Sequence, residues 1–210
     1  MKTVLVYGDS NSHGAKPMVD LDNAERFARG LPWPDVMAAE LGADVHVICE
    51  GLPGRTTVHE DLVGGGMRNG LSVLPAILHS HKPIDLLVIL LGTNDLKNQF
   101  SVTSYEIAAS VQRLVLAARA EGVVKAEMII CPPPVAEAGV LAPMFEGAVA
   151  RQHDLAKHME QVATRLGCGF FDAARHITVS PIDGVHWEEG SHDKMGRAIA
   201  GPVADMLAQL

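Results

Sequence analysis

The feature that most constrains this chain is a succession of short apolar runs separated by helical stretches. Thr3 to Tyr7 (TVLVY), Asp44 to Cys49 (DVHVIC), Asp85 to Leu91 (DLLVILL), Glu127 to Cys131 (EMIIC) and Gly169 to Asp172 (GFFD) are each rich in strand-forming residues. Continuous apolar runs of this length suit central strands of a parallel sheet, covered on both faces. Between them, Thr103-x-x-Glu106 is a capping box, followed by Ile107, Val111, Leu114, Val115 and Ala118 at helical spacing and closed by Gly122. Leu155, Met159, Val162, Ala163 and Leu166 form a second stripe, closed by Gly167. Weaker patterns place helices at Pro34 to Leu41, Leu71 to His79 and Lys194 to Leu207, with Pro202 expected to kink or shorten the last.

Alternating strands and helices imply right-handed crossovers and a parallel sheet. The expected architecture is therefore α/β, a three-layer α/β/α sandwich around a mostly five-stranded parallel sheet. No repeat, low-complexity tract or linker divides it, so residues 1–210 read as one domain.

Function classes narrow by exclusion. The formal net charge of -8 and the lack of a Lys/Arg cluster argue against nucleic acid. No apolar run approaches the roughly 20 residues of a membrane span. The N-terminus enters a strand directly, so no signal peptide and a cytoplasmic location are expected. Cys49, Cys131 and Cys168 are too few and scattered for a disulfide framework or a zinc site, and read as buried, reduced thiols. No metal and no cofactor is expected.

In open parallel sheets ligands bind beyond the carboxyl ends of the strands. Four segments there and near the C-terminus carry chemistry. Gly8-Asp9-Ser10-Asn11-Ser12 follows the first strand. A serine at that place projects from a rigid strand end, with its own N–H near a helix start where an oxyanion could form. Taken alone, Asp9 and Ser10 read first as helix caps. Glu50 to Thr57 (EGLPGRTT) follows the second strand, and Gly54 can bring a bare N–H to a ligand. It lacks the phosphate-loop pattern, and Arg55 does not replace that loop's Lys. Gly92-Thr93-Asn94-Asp95 follows the third strand, where the Asn94 amide is a neutral donor, although the segment is also a plausible turn. Asp183-Gly184-Val185-His186 allows a carboxylate to hold an imidazole across one turn. The set supplies a nucleophile, oxyanion donors and a base with its orienting acid, and a serine hydroxyl needs such a base at neutral pH. His79, His81, His153 and His158 read as solvated or structural.

GDS, the glycine-bearing turn, GTND and D-x-x-H resemble, in order and across nearly the whole chain, the four blocks of the SGNH or GDSL hydrolases. The G-x-S-x-G elbow of ordinary α/β-hydrolases is absent. ERFARGLPWPDVM, EGLPGRTT, LGTNDLKNQF, CPPP and FFDAA further resemble the arylesterase, acyltransferase and perhydrolase subgroup, typified by a mycobacterial acyltransferase. The resemblance implies a flavodoxin-like sheet and a serine esterase acting on short-chain or aryl carboxylic esters, with acyl transfer or perhydrolysis as a side activity. Ser10 would be the nucleophile, His186 the base and Asp183 its partner. The N–H groups of Ser10 and Gly54, with the Asn94 amide, would form the oxyanion hole. Asp9, Asn11, Arg55, Thr93 and Asp95 would support the site or line its pocket. The partner would be a small-molecule ester, and the resemblance implies a homo-oligomer, an octamer among its forms.

Two departures stand out. GDSL reads GDSN here, and a tryptophan-rich stretch after the serine is replaced by Ser12-His13-Gly14-Ala15, so a wider or more polar pocket is expected. Polar Asn11, Ser12 and His13 leave a carbohydrate acetylesterase open as the alternative. A non-catalytic binding protein and a nucleotide-binding regulator are the readings from other classes. The apolar segment Pro132 to Phe145 is expected to roof the site or form a subunit contact.

Overall fold

The computed structural model describes residues 1–22 and 24–210. Five strands, β1 (Lys2–Gly8), β2 (Val45–Gly51), β3 (Ile84–Leu90), β4 (Val124–Cys131) and β5 (Gly169–Asp172), form one sheet in the order β2-β1-β3-β4-β5. All neighbouring pairs are parallel. Seven helices are described: α1 (Ser10–His13), α2 (Trp33–Leu41), α3 (Gly70–His81), α4 (Ser104–Glu121), α5 (Ala148–Arg151), α6 (Leu155–Leu166) and α7 (Glu189–Ala208).

The period-two geometry of a strand explains the two halves of the core. Val4, Val6, Leu86, Val88, Met128 and Ile130 face α2 and α7, packing with Trp33, Met37, Met195, Ile199 and Val203. Leu5, Tyr7, Leu87, Ile89, Ile129 and Cys131 face the other way, toward Leu74, Leu78, Ile107, Val111, Met159 and Val162 of α3, α4 and α6. Both faces of the sheet are thus covered by helices. The Thr103–Glu106 capping box forms as expected, and Gly122 and Gly167 end α4 and α6 in the left-handed conformation.

Three expectations are corrected. The second and fifth runs are the two edge strands, not central ones; the side chains of the second are only partly buried or exposed, and most of those of the fifth are partly buried. His46 and Glu50 interrupt the second run's apolar character, which is the signature of a strand with one uncovered side. Cys49 lies on that edge and is exposed, while Cys131 is buried and Cys168 intermediate; all three are free. Pro202 does not shorten the last helix, because α7 continues from Glu189 to Ala208. Buried Ile199, Val203 and Leu207 hold it against the sheet on both sides of the proline, and this packing outweighs one lost backbone hydrogen bond.

The chain runs from β1 outward to β2, then returns across β1 to β3. The connections diverge between β1 and β3, which makes a crevice at their carboxyl ends. Gly8 and Leu90 sit side by side there, so the segments after these strands emerge next to each other. The segment 132–145 owes its apolar composition to internal packing: Val135, Leu141 and Phe145 are buried in the protein's own core. Ala136 N–H donates to Gly184 C=O at 2.8 Å, so this loop also braces the turn carrying Asp183.

Candidate active site

Asp9 follows the first strand and caps α1, its carboxylate accepting the Asn11 N–H at 2.9 Å. Capping and presentation of Ser10 therefore coexist: the cap fixes the turn from which the Ser10 hydroxyl projects. Ser10 is 5% exposed. Its Oγ lies 3.1 Å from His186 Nε2, and His186 Nδ1 lies 2.6 Å from Asp183 Oδ2.

The turn that supplies the last two residues is held by backbone groups. Asp183 Oδ1 accepts the N–H groups of Val185 and His186 at 3.0 and 2.9 Å. Oδ2 also accepts the Met18 N–H at 2.7 Å. Gly184 between them adopts φ +74°, and a β-carbon there would come within 1.9 Å of Ala136 O, so only glycine fits. Burial by itself would raise the Asp183 pKa, but the His186 bond and charge, with the Met18 and Val185 N–H donors, bring it down to about 2. An ionised carboxylate only accepts hydrogen bonds. Nδ1 of His186 must then carry the proton, which leaves Nε2 free to accept from Ser10.

Neither the Ser10 nor the Gly54 N–H has an acceptor among the described residues. Gly54 reaches its position with φ +81°. The Asn94 amide donates one N–H to Arg55 O at 3.1 Å and keeps a second in reserve.

The expected supporting residues are all buried, and most act inside the wall rather than in the pocket. Arg55 turns inward, its Nη1 donating to Gly8 O at 2.9 Å and to Glu50 O, with its guanidinium 4.2 Å from the Tyr7 ring centre. It ties the ends of the two strands that carry Ser10 and Gly54. Asp95 accepts from the N–H and the hydroxyl of Thr57, which ties the Asn94 segment to the Gly54 segment. Thr93 leads into the short 3-10 turn Asn94–Leu96 and makes no side-chain cap. Asn11 donates to Val185 O at 3.2 Å, linking the Ser10 turn to the residue before His186. Asn11 and Ser12 are thus part of the packed interior, and of the polar residues after Ser10 only His13 is partly exposed.

Sequence reasoning missed Met18, whose contribution is a backbone N–H, and His192. The latter is fully buried beside Trp187 and Phe27, with ring centres 5.4 and 5.3 Å away, and its Nδ1 accepts the Trp33 N–H at 3.3 Å. His192 stands three and seven residues before the core residues Met195 and Ile199, a helical spacing that places it on the inner face of α7.

Two buried groups near the site oppose each other in their effect on stability. Burial, helped by the His186 charge, lowers the His192 pKa from 6.5 to about 4. As pH falls from about 6.5 to 4 the unfolded chain takes up this proton first, and stability is lost. Burial raises Asp9 from 3.8 to about 6, only partly offset by the Asn11 N–H. Here the folded state takes up the proton first, so stability is gained as pH falls from about 6 to 3.8. Each effect amounts to roughly 3 kcal/mol, so they largely cancel. Asp9→Asn keeps a capping acceptor but removes one arm. It is expected to stabilise the protein at pH 7 and to make its urea midpoint fall steeply between pH 6.5 and 4. Parallel pH dependences for wild type and variant would contradict this.

Among the described residues, no group of His, Cys, Asp and Glu is placed to hold a metal ion, and no helix is long and apolar enough to cross a membrane.

A serine, a histidine and an aspartate in one hydrogen-bonded row, at the carboxyl end of such a sheet, are the parts that serine hydrolases on doubly wound sheets use. Residues 6–193 match the model of the GDSL-like lipase/acylhydrolase family, and the chain belongs to that family. The native M. smegmatis aryl esterase superposes with a TM-score of 0.93 at 35% identity, covering 98% of this chain and 100% of that one. A carbohydrate acetylesterase family member from Sinorhizobium meliloti gives 0.92 at 38% identity, covering 99% and 100%. Est24, a carbohydrate acetylesterase from the same organism, gives 0.93 at 34%, covering 98% and 100%. No curated protein sequence matches the chain.

Proposed function

We propose that this serine esterase acts through Ser10, His186 and Asp183 on short-chain or aryl carboxylic esters. The observation that carries the proposal is the unbroken row from the Ser10 hydroxyl through the imidazole to an ionised carboxylate, beside two N–H groups without acceptors among the described residues. His186 Nε2 takes the Ser10 proton as Oγ bonds to the ester carbonyl carbon. The carbonyl oxygen becomes an oxyanion facing the Ser10 and Gly54 N–H groups and the spare Asn94 N–H. The imidazolium returns its proton to the departing alkoxide, leaving an acyl-enzyme. Water then attacks with the same base, and acid and free serine are released. An alcohol or peroxide in place of that water would give acyl transfer or perhydrolysis.

Asn94→Ala tests the oxyanion assignment. Loss of one such donor costs about 2.7–4 kcal/mol in the barrier, so turnover should fall by roughly a hundredfold or more in a folded protein. A near-normal kcat would remove Asn94 from the reaction. A chain-length series of p-nitrophenyl esters on wild type and Ser10→Ala tests the substrate class: rates falling with acyl length support the short-chain reading, and a preference for long acyl chains overturns it.

The likeness to the two S. meliloti carbohydrate acetylesterases favours acetylated sugars as a second reading with the same residues. Release of acetate from acetylated xylan at a rate comparable to p-nitrophenyl acetate would decide for it. The oligomer reading finds support in exposed Val19, Leu21, Leu62, Val63 and Met67. Light scattering giving a monomer would reject it.

A further inference from the structure

The loop between Thr57 and α3 brings a cation to the site that the mechanism does not use. Asp61, buried at 1% exposure, pins this loop. It accepts from Lys97 Nζ at 2.6 Å, Gln99 Nε2 at 2.7 Å and Gly64 N–H at 2.6 Å. The loop is thereby fastened to the segment that follows Asn94. At its far end Arg68 is held by its own backbone. Its C=O accepts the Thr56 N–H at 3.0 Å and the Thr56 hydroxyl at 3.2 Å, and its N–H donates to Glu60 at 3.3 Å.

The Arg68 side chain lies against Gly54. A β-carbon on that glycine would meet Arg68 Nε at 3.0 Å and Cδ at 3.3 Å. Of the guanidinium's donors, Nη1 is used on Gly66 O at 3.1 Å. Among the described residues no carboxylate lies within ion-pair distance of it. A guanidinium carries five N–H donors in a fixed fork that matches a carboxylate. Here most of them are unspent, in a partly buried place, next to a candidate oxyanion donor. The chain's net charge of -8 repels anions in general, so a cation whose donors are not spent on the wall, unlike the inward-turned Arg55 and the Asp61-paired Lys97, changes the local preference.

We infer that Arg68 is a specificity-determining residue that receives a carboxylate carried by the ester a few bonds from its carbonyl, so that acidic esters are preferred substrates. This rests on the esterase reading above.

The test is a ratio of kcat/KM values for paired esters, which cancels the general health of a variant. One pair places the charge on the alcohol side, 4-acetoxybenzoate against its methyl ester. The other places it on the acyl side, phenyl hydrogen glutarate against phenyl pentanoate. In at least one pair the charged-to-neutral ratio should drop about tenfold in Arg68→Met, as expected for loss of one charge-assisted contact. Arg68→Lys should recover part of it. In the wild type, the same ratio should shrink as salt is raised from about 0.05 to 0.5 M, a measurement that needs no variant. Ratios unchanged by Arg68→Met in both pairs, or insensitive to salt in the wild type, would overturn the inference and would mean that the side chain only covers Gly54. The esterase reading fails separately: it is lost if phenyl acetate hydrolysis survives Ser10→Ala.

Discussion

Ser10→Ala is expected to lower kcat for p-nitrophenyl acetate by on the order of 10⁴ to 10⁶ while leaving the fold intact. The hydroxyl is the atom proposed to form the acyl bond, and its removal leaves His186 without the nucleophile it is placed to deprotonate. The stability cost should be small, because among the described residues Ser10 Oγ has one partner, His186 Nε2, and the backbone of α1 is held by the Asp9 cap. The Ser10→Ala/His186→Ala double variant should be no slower than either single variant beyond experimental error, since both act in one step. Losses that multiply would show that the two side chains act independently, and the row would then be a structural hydrogen bond.

Asp183→Asn is expected to cost on the order of 10⁴ in kcat. The reason is the tautomer rather than the geometry. An Asn amide nitrogen facing His186 Nδ1 would donate to it, and the ring proton would move to Nε2, pointing at the Ser10 hydroxyl. The loss should be accompanied by lower stability, because Asp183 accepts three backbone N–H bonds, from Met18, Val185 and His186. Burial of the site makes those acceptors costly to weaken. Circular dichroism and a thermal melt separate the two effects: a folded Asp183→Asn protein with near wild-type turnover would remove the carboxylate from the mechanism. Because the Asp183 pKa is held at about 2, below the ordinary 3.8, its contribution to stability is present above pH 3.8 and is lost as pH falls toward 2.

Much of this arrangement was legible in the residues before any coordinates, and for identifiable reasons. Strands buried on both faces must be apolar throughout, so β1, β3 and β4 announce themselves as continuous runs. Helix ends are written locally, in the Thr103–Glu106 box and in Gly122 and Gly167. Ser10, Gly54 and Asn94 could be picked out because each follows a strand end. The aspartate and histidine could be paired because three residues with a glycine between them can close one turn. What stayed hidden depends on long-range placement. The position of β2 at the sheet edge, and with it the exposure of Cys49, follows from strand order, to which the polar His46 and Glu50 are the one local clue. The inward turn of Arg55 and Asn11 needs knowledge of the partners 47 and 174 residues distant in the chain. Met18 contributes a backbone N–H, for which side-chain identity carries no signal. Pro202 misled because its local penalty is visible in the sequence while the packing that overcomes it is not.

The central claim is that one hydroxyl, Ser10, is made nucleophilic by the imidazole beside it. Reaction with a fluorophosphonate, followed by intact-mass and peptide mapping, tests it most directly. The account predicts a single adduct per chain on Ser10, formed rapidly in wild type and lost in His186→Ala. An adduct on another residue, or undiminished labelling of Ser10 without His186, would contradict it.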